Sequence, residues 1–200
     1  MSICLLLIGD GRDAYRERTL ASLFTALPAF DDFVEIDDRE HRLGFAGAIQ
    51  RGWDRVLQTG CEYVFHREAD FTFNDEVPLL KMCGILKRDP RLVQIALLRQ
   101  PWNEQEKAAG GIMQLHPEDY TEQRHGDAVW TEHRRNFTTN PSIYRAKLCE
   151  RGWPQESESE GKFGLQLMAE DPEARFAFWG GKNDPPLVEH IGAERKGTGY

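Results

Sequence analysis

Two hydrophobic patterns alternate along the first half of the chain. A continuous apolar run from Ile3 to Ile8 ends at Gly9-Asp10-Gly11, which is typical of a strand buried on both faces and followed by a loop. Similar apolar segments predict further strands at 33–36, 62–65 and 92–97. Apolar residues that recur every three or four positions predict helices at 13–27, 45–60 and 75–87. This alternation predicts an α/β fold with a mostly parallel sheet, whose ligands bind at the carboxyl ends of the strands.

The second half of the chain is less regular. Residues 101–136 are rich in polar side chains and glycine, which predicts loops and short strands. The patterns beyond them predict helices at 141–150 and 158–170, a strand at 175–179 and a glycine- and proline-punctuated tail at 180–200. Because no internal repeat or flexible linker interrupts the chain, we expect one domain over residues 1–200.

The composition is that of a globular protein, with 40% hydrophobic and 29% charged residues. The first apolar run is too short for a signal-peptide core or a membrane span, so we expect a cytoplasmic protein. The cysteines form neither a CxxC pair nor a zinc-like spacing with histidine, and we expect buried free thiols at Cys4, Cys61, Cys83 and Cys149.

The formal net charge of −8 argues against non-specific binding of long nucleic acids, because that affinity rests on neutralising phosphates. One polar stretch is locally basic through Arg124, His125, His133, Arg134 and Arg135. This stretch is either a solvated face or a confined groove that contacts a ligand.

The third predicted strand runs directly into His66-Arg67-Glu68-Ala69-Asp70. Two carboxylates separated by one small residue can both face a cleft at a strand end. Oxygen ligands suit Mg²⁺ or Mn²⁺, and these ions commonly bridge substrate phosphates. The alternative is a surface turn with ordinary acids, but the position after the third strand of a parallel pattern favours a ligand site.

With these features in place, the chain resembles GT-A glycosyltransferases, particularly the family-2-like branch and its short phage and bacterial members. The first apolar strand is followed, in the same order as in that family, by Asp37-Asp38, Gly44-Phe45-Ala46-Gly47-Ala48, Glu68-Ala69-Asp70, Asn140-Pro141-Ser142, Gly152-Trp153-Pro154 and His190-Ile191-Gly192. The resemblance implies a single GT-A-type, Rossmann-like domain. Its residues 1–99 would form a nucleotide-sugar-binding half, and residues 100–200 an acceptor-binding and catalytic half.

In that family the acidic pair after the third strand, usually DxD, contacts the donor ribose and holds the metal. Here the first acid is Glu68, so the resemblance implies that Asp70 is the firmer ligand and Glu68 a ribose or water-mediated contact. It also implies that His190 completes the shell of a Mn²⁺ or Mg²⁺ ion. The alternative for His190 is a structural histidine.

The resemblance places donor recognition on the loop after strand one and on the acid after strand two. The residues concerned are Gly9, Asp10, Arg12 and Asp38. Arg12 suits phosphate, although it can also be a solvated residue at a helix start. Gly47 permits close approach of the backbone, and Arg195 or Lys196 would assist at the diphosphate.

Glycosyl transfer also needs a base for the acceptor hydroxyl or a group that stabilises an oxocarbenium ion. The resemblance implies an acid at the start of a late helix, with Glu160 the first candidate and Glu158 the second. A capping box between Ser157 and Glu160 is the alternative, and inversion or retention stays open. Aromatic faces stack on sugars or bases, which makes acceptor-binding candidates of Trp102, Trp130 and Trp153. The alternative is that two or three of the aromatic residues in this half, Phe137 included, belong to the core.

The function that follows is a hexosyltransferase-like enzyme, which moves a sugar from a UDP- or GDP-sugar to a hydroxyl acceptor. The acceptor is a protein, a glycan or a hydroxylated base of phage-type modified DNA, and a phage-encoded enzyme would act in the host cytoplasm. Two other classes remain: a non-catalytic nucleotide-sugar or carbohydrate-binding module, and a sugar-phosphate nucleotidyltransferase. The second needs a glycine-rich, lysine-bearing loop after strand one, for which Gly9-Asp10-Gly11-Arg12 is too sparse.

Overall fold

A computed structural model describes residues 1–26 and 30–192 of the chain. Its strands are β1 (Ile3–Gly9), β2 (Asp32–Asp37), β3 (Tyr63–Glu68), β4 (Phe71–Phe73), β5 (Leu92–Leu97), β6 (Thr121–His125), β7 (Ala128–His133), β8 (Ser142–Arg145), β9 (Arg175–Trp179) and β10 (Val188–His190). Its α-helices are α1 (Asp13–Ala26), α2 (Asp38–His41), α3 (Gly44–Thr59), α4 (Leu79–Arg88), α5 (Glu104–Ala109), α6 (Ile112–Leu115) and α7 (Ser159–Glu170). Short 3₁₀ helices span Pro117–Asp119 and Ala146–Arg151.

Within the described residues, eight strands form one mixed sheet in the order β2-β1-β3-β8-β5-β9-β7-β6. β1 is parallel to β2 and β3, and β5 is parallel to β9. β8 runs antiparallel between β3 and β5, and β7 runs antiparallel between β9 and β6. All of these strands except β7 and β8 therefore point the same way, which confirms the predicted α/β fold with a mostly parallel central sheet.

Helices flank this sheet on both faces because alternate residues of its strands point to opposite sides. Leu5 belongs to the buried cluster that includes Leu23 of α1 and Met82 of α4. The next residue, Leu6, belongs to a second cluster with Ile49 and Trp53 of α3. Strand β1 is thus buried on both faces, as its continuous apolar run predicts.

Most element predictions are confirmed to within a few residues, and β5 and β9 have the predicted bounds. Helix α4 begins at Leu79 rather than at residue 75, because a proline at position 78 disfavours helical backbone in the residue before it. The first predicted helix reaches residue 27, which lies outside the described residues.

The helix predicted at 141–150 is wrong. Strand β8 and a 3₁₀ helix occupy this segment, and Ser142, Ile143 and Tyr144 are buried. Tyr144 lies in register with Val64 of β3 on one side and Gln94 of β5 on the other. The space between these two strands imposes an extended conformation that a short apolar segment does not signal by itself.

The four cysteines are free thiols, buried at Cys4, Cys83 and Cys149 and half-buried at Cys61. This agrees with the expectation of free thiols in the core. In the described part of the chain, no helix is both long and apolar enough to cross a membrane.

Candidate functional site

The candidate site begins at the turn that follows β3. The N–H of Ala69 donates to Ile8 O of the neighbouring strand at 2.8 Å. The hydroxyl of Thr19 lies 2.9 Å from the carbonyl oxygens of both Ala69 and Phe71. The N–H of Ile191 donates to Asp70 O at 2.8 Å. These bonds from three parts of the chain fix the main chain around Asp70, whose side chain is directed to the carboxyl end of the sheet.

The carboxylate of Asp70 is buried, with the residue only 2% exposed, and lies between two basic groups. Its Oδ2 accepts a hydrogen bond from Arg12 Nη2 at 2.8 Å and lies 3.2 Å from His190 Nε2. Burial raises the pKa of Asp70, but the bonds to His190 and Arg12 outweigh burial and hold that pKa below its ordinary value. Asp70 is therefore an anion at neutral pH.

His190 is held at this carboxylate by its main chain and by its ring. Its N–H donates to Gln100 Oε1, and Gln100 Nε2 donates to His190 O, both at 2.9 Å. Its ring lies between Phe71 and Trp102, with centroid distances of 4.7 Å and 4.4 Å. These contacts direct Nε2 toward Asp70.

Asp70 and His190 suit a divalent cation by the chemistry of their donor atoms, and they lie side by side. Asp70 Oδ2 and His190 Nε2 are 3.2 Å apart, which is a hydrogen-bond distance and brings both groups within reach of one cation. A Cβ at Gly192 would lie 2.1 Å from the same Oδ2, so glycine keeps space open beside the carboxylate. Carboxylate and imidazole donors are compatible with Mn²⁺.

A second group of potential ligands lies elsewhere. His116, Glu118 and Asp119 bring ligand atoms within 4.8 Å of one another. Asp119 in this group forms an ion pair with Arg135, and both acids are exposed. These residues lie at the 3₁₀ helix Pro117–Asp119, apart from the predicted ligands at the end of β3.

Two other predicted acids, Glu68 and Glu160, both accept hydrogen bonds from Thr139. Glu68 Oε1 accepts a hydrogen bond from Thr139 Oγ1 at 2.8 Å, and Glu160 Oε1 accepts one from the Thr139 N–H at 2.7 Å. Helix α7 begins after Glu158, which has a left-handed backbone with φ of 57° and makes no side-chain capping bond. Glu160 therefore does not form the predicted alternative of a capping box with Ser157.

An open cleft of about 790 Å³ collects several of the predicted residues. Its lining includes Glu68, Trp102, Glu158, Glu160 and His190. A smaller pocket opens beside it and is lined by Gly9, Asp10, Arg12, Glu68 and Asp70. Because Glu68 lines both, the two pockets adjoin at the end of β3.

Arg12 reaches this site from the loop after β1. Its Nε donates to both carboxylate oxygens of Asp10, at 2.9 Å and 2.7 Å. Burial lowers the pKa of Arg12, but the bonds to Asp10 and Asp70 outweigh it and raise that pKa. Its Nη1 is buried and has no hydrogen-bond partner in the described part of the chain.

Two predicted donor-binding residues do not line either pocket among the described residues. Asp38 accepts hydrogen bonds from the N–H groups of Leu43 and Gly44, at 2.7 Å and 3.0 Å, and so holds the entry to α3. A Cβ at Gly47 would lie 2.7 Å from that of Leu43, so this glycine permits close packing. Arg195 and Lys196 lie outside the described residues.

The three predicted acceptor-binding tryptophans are separated. Trp102 is 42% exposed and lines the cleft. Trp153 is 3% exposed and donates from Nε1 to Ser159 Oγ at 2.9 Å. Trp130 donates from Nε1 to Glu132 within β7. Neither Trp130 nor Trp153 lines the cleft. Trp130 is held in the sheet, and Trp153 is held in the aromatic core.

The basic stretch is also distant from the cleft. His133, Arg134 and Arg135 line a separate groove with Arg91 and Arg175. Arg91 precedes β5 and Arg175 begins β9, so this groove lies at the opposite end of the sheet from Asp70. Arg124 and His125 lie on the edge strand β6.

The residues that flank the acids on β3 are structural. His66 is fully buried, its Nδ1 lies 3.0 Å from Tyr144 Oη, and burial lowers its pKa to about 3. Arg67 is also fully buried, donates to Phe71 O at 3.2 Å, and has its pKa lowered to about 9 by burial. Neither residue lines the two pockets.

Two hydrogen-bonding residues of the site have no signal in the sequence. Thr139 carries no signal of its own, although it stands beside the quoted Asn140-Pro141-Ser142. Gln100 carries none, because its bonds reach 90 residues along the chain to His190. Both residues act through contacts that only the folded chain creates.

The sequence matches no family model, and no curated protein matches it. Comparison of structures does find similar proteins. The first is TarS residues 1–349 from S. aureus in complex with UDP-GlcNAc, with a TM-score of 0.61, 14% identity, and coverage of 99% of this chain and 60% of that chain. The second is the mannosyltransferase PcManGT from Pyrobaculum calidifontis in complex with GDP-Man and Mn²⁺, with a TM-score of 0.55, 12% identity, and coverage of 87% and 53%.

TarS is a GT-A glycosyltransferase, so the predicted GT-A-like fold is confirmed. This chain spans about 60% of the length of the TarS chain that it matches. At these identities the comparison concerns the fold alone.

Proposed function

We propose that the chain is a metal-dependent glycosyltransferase that moves a hexosyl group from a UDP- or GDP-sugar to a hydroxyl acceptor. The observation that carries this proposal is that a buried carboxylate, Asp70, and an imidazole, His190, meet beside the pocket formed by the loop after β1. In a GT-A-like fold, this position is at the carboxyl ends of parallel strands, where ligands bind. Support also comes from the structural neighbours, which are complexes with UDP-GlcNAc and with GDP-Man and Mn²⁺.

Asp70 and His190 would hold Mn²⁺ or Mg²⁺ directly, with Glu68 as a weaker ligand or a ribose contact. When bound, the cation supplies positive charge that stabilises the departing nucleotide diphosphate. Contacts with Gln100, Phe71 and Trp102 hold His190 in position for this role.

Arg12 would bind a phosphate oxygen of the donor. A guanidinium is a strong donor to phosphate, and Arg12 Nη1 is buried without a partner among the described residues. Gly9 and Asp10 line the same pocket and would contact the nucleoside part of the donor. Asp38 would act by fixing the start of α3, since both of its carboxylate oxygens accept backbone hydrogen bonds.

Glu160 would be the catalytic carboxylate. It lies on α7, lines the cleft and accepts a hydrogen bond from the Thr139 N–H. Its carboxylate would accept the proton of the acceptor hydroxyl as a general base or stabilise the oxocarbenium ion. Glu158 lines the same cleft and is the second candidate.

The acceptor would approach across Trp102, whose exposed ring offers a surface for stacking a sugar. The described part of the cleft also contains Glu158 and Glu160, whose negative charge disfavours the phosphates of a DNA acceptor, whereas Arg12 lines the pocket proposed for the donor diphosphate. The basic groove lies at the opposite end of the sheet. These features favour a glycan or a protein hydroxyl over a hydroxylated base in DNA.

A panel of UDP- and GDP-sugars with Mn²⁺ or Mg²⁺ tests the proposal by release of nucleotide diphosphate and by mass spectrometry of candidate acceptors. We expect release with at least one donor and a decrease of kcat of about 10² or more in Glu160→Gln. Glu150→Gln, on an exposed 3₁₀ helix, is the matched control. Nucleotide binding without release from any donor would instead indicate a non-catalytic binding module.

A further inference from the structure

Thr139 donates hydrogen bonds to two carboxylates that have different roles in the proposed reaction. Glu68 ends β3, and Glu160 lies in the first turn of α7. The Thr139 hydroxyl donates to the first at 2.8 Å, and the Thr139 N–H donates to the second at 2.7 Å. Each acid thus has its own donor on a single residue.

The main chain at Thr139 is itself fixed. Gln94 of β5 donates from Nε2 to Thr138 O at 2.6 Å, and the N–H of Thr138 donates back to Gln94 Oε1 at 3.0 Å. Gln94 also donates to Ser142 Oγ at 2.8 Å and is only 1% exposed. Because a buried side chain of the central sheet holds the segment, Thr139 presents its two donors from a rigid support.

This arrangement separates two effects that one substitution would otherwise mix. Among the described residues, the Thr139 hydroxyl donates to Glu68, and the Thr139 N–H donates to Glu160. Loss of the Thr139 hydroxyl therefore removes a hydrogen bond to Glu68, the acid assigned to the donor. It leaves intact the bond from the Thr139 N–H to Glu160, the acid assigned to catalysis. A residue that merely fills space in the core would not divide its effects in this way.

We propose that Thr139 is a positioning residue that holds the donor-side Glu68 and the catalytic Glu160 in fixed relation through these two separate hydrogen bonds. This inference rests on the proposed function, in which Glu68 contacts the donor and Glu160 serves the transfer step. Thr139 lines the cleft, and its hydroxyl donates to Glu68. Its effect on donor affinity passes through Glu68.

Thr139→Val is the informative variant, because valine has nearly the shape of threonine but no hydroxyl donor. We expect the donor KM to rise about tenfold, as for loss of a hydrogen bond to a charged group, while kcat changes less than about twofold. Thr139→Ser keeps the hydroxyl and is expected to restore the wild-type KM. Thr139→Ala also lacks the hydroxyl and should show the same rise in the donor KM. This agreement would show that the rise does not come from a packing defect of valine. Circular dichroism checks that each variant is folded.

A double-mutant cycle with Glu68→Ala, which removes the acceptor of the Thr139 hydroxyl, measures the coupling between the two residues. Because Thr139 acts through Glu68, Thr139→Val should raise the donor KM far less in the Glu68→Ala protein than in the wild type. An unchanged KM in folded Thr139→Val and Thr139→Ala, or equal effects in both backgrounds, would overturn the inference.

Calorimetry with UDP or GDP plus Mn²⁺ keeps this test independent of turnover. If the wild type binds a nucleotide but releases no product, the transfer function fails, and an affinity loss in Thr139→Val still supports the link to Glu68. If the wild type is active and Thr139→Val binds nucleotide as tightly as the wild type, only the inference about Thr139 fails. Absence of any nucleotide binding by the wild type would overturn both.

Discussion

Arg12 Nη2 donates to the same oxygen of Asp70, at 2.8 Å, that lies 3.2 Å from His190 Nε2. The guanidinium therefore occupies one side of a carboxylate oxygen that we assign to a cation. Arg12 thus offsets the charge of Asp70, and among the described residues its buried Nη1 has no hydrogen-bond partner. Binding of the donor and of the cation should accordingly be coupled through this one side chain.

Replacement of Arg12 tests this coupling. We expect Arg12→Ala to weaken the affinity for UDP or GDP about tenfold, because a charge-assisted bond to phosphate is lost. Binding of Mn²⁺ alone should not weaken, since a positive neighbour of the site is removed. Calorimetric titrations of Mn²⁺ and of nucleotide measure the two effects separately. Arg16→Ala is the matched control on α1, because Arg16 pairs with Glu35 and lines neither pocket. Equal losses in the two variants would contradict a specific role for Arg12.

Gln100 is expected to support the cation through His190. Substitution by alanine removes both bonds to the His190 main chain, and residues that orient a metal ligand commonly change metal affinity 10- to 100-fold. We predict that Gln100→Ala weakens Mn²⁺ binding by about tenfold, as measured by electron paramagnetic resonance of free Mn²⁺. Gln114→Ala, which removes an exposed contact to Lys182 O, provides the control. Wild-type Mn²⁺ affinity in folded Gln100→Ala would exclude this supporting role.

Stability should fall on mild acidification because of buried His66. Burial lowers its folded pKa to about 3, whereas the unfolded side chain takes up a proton below its ordinary pKa of 6.5. The unfolded state thus binds more protons as the pH falls, and His66 alone should reduce the free energy of unfolding by about 2 kcal/mol between about pH 6.5 and about pH 5. His133, whose pKa is lowered to about 4 by burial and by Arg135, should act in the same direction.

Urea unfolding at about pH 7 and about pH 5 measures this effect. The loss of stability should be about 2 kcal/mol smaller in His66→Gln than in the wild type. His125→Gln, on the exposed strand β6, controls for removal of a histidine. An identical loss in wild type and His66→Gln would show that His66 does not contribute.

The elements that the sequence predicts well are those whose burial follows from local pattern alone. β1 and β5 are apolar runs that end in polar loops, and α3 has a clear apolar face. β8 was mispredicted because its extended form depends on the space between β3 and β5, which come from distant parts of the chain. Local preference gives way there to strand pairing and burial.

The same distinction applies to the site. Glu68 and Asp70 follow a strand directly, so their location could be predicted from order alone. Thr139 contacts Glu68 across 71 positions of sequence, and no residue pattern indicates that contact. Trp153 is a further example, since its sequence is compatible with stacking on a ligand and with the core, and the structure buries it beside Trp53.

The most direct test of the central claim is the rate of nucleotide diphosphate release from UDP- and GDP-sugars with Mn²⁺, compared between the wild type and Asp70→Asn. This substitution keeps the size of the side chain and removes the charge that a cation requires. We predict release by the wild type, its loss after chelation with EDTA, its return on addition of Mn²⁺, and a decrease of about 10² or more in Asp70→Asn. Release that is unaffected by EDTA and by Asp70→Asn would contradict the assignment of a metal to Asp70 and His190, and no release from any donor would contradict the proposed transferase.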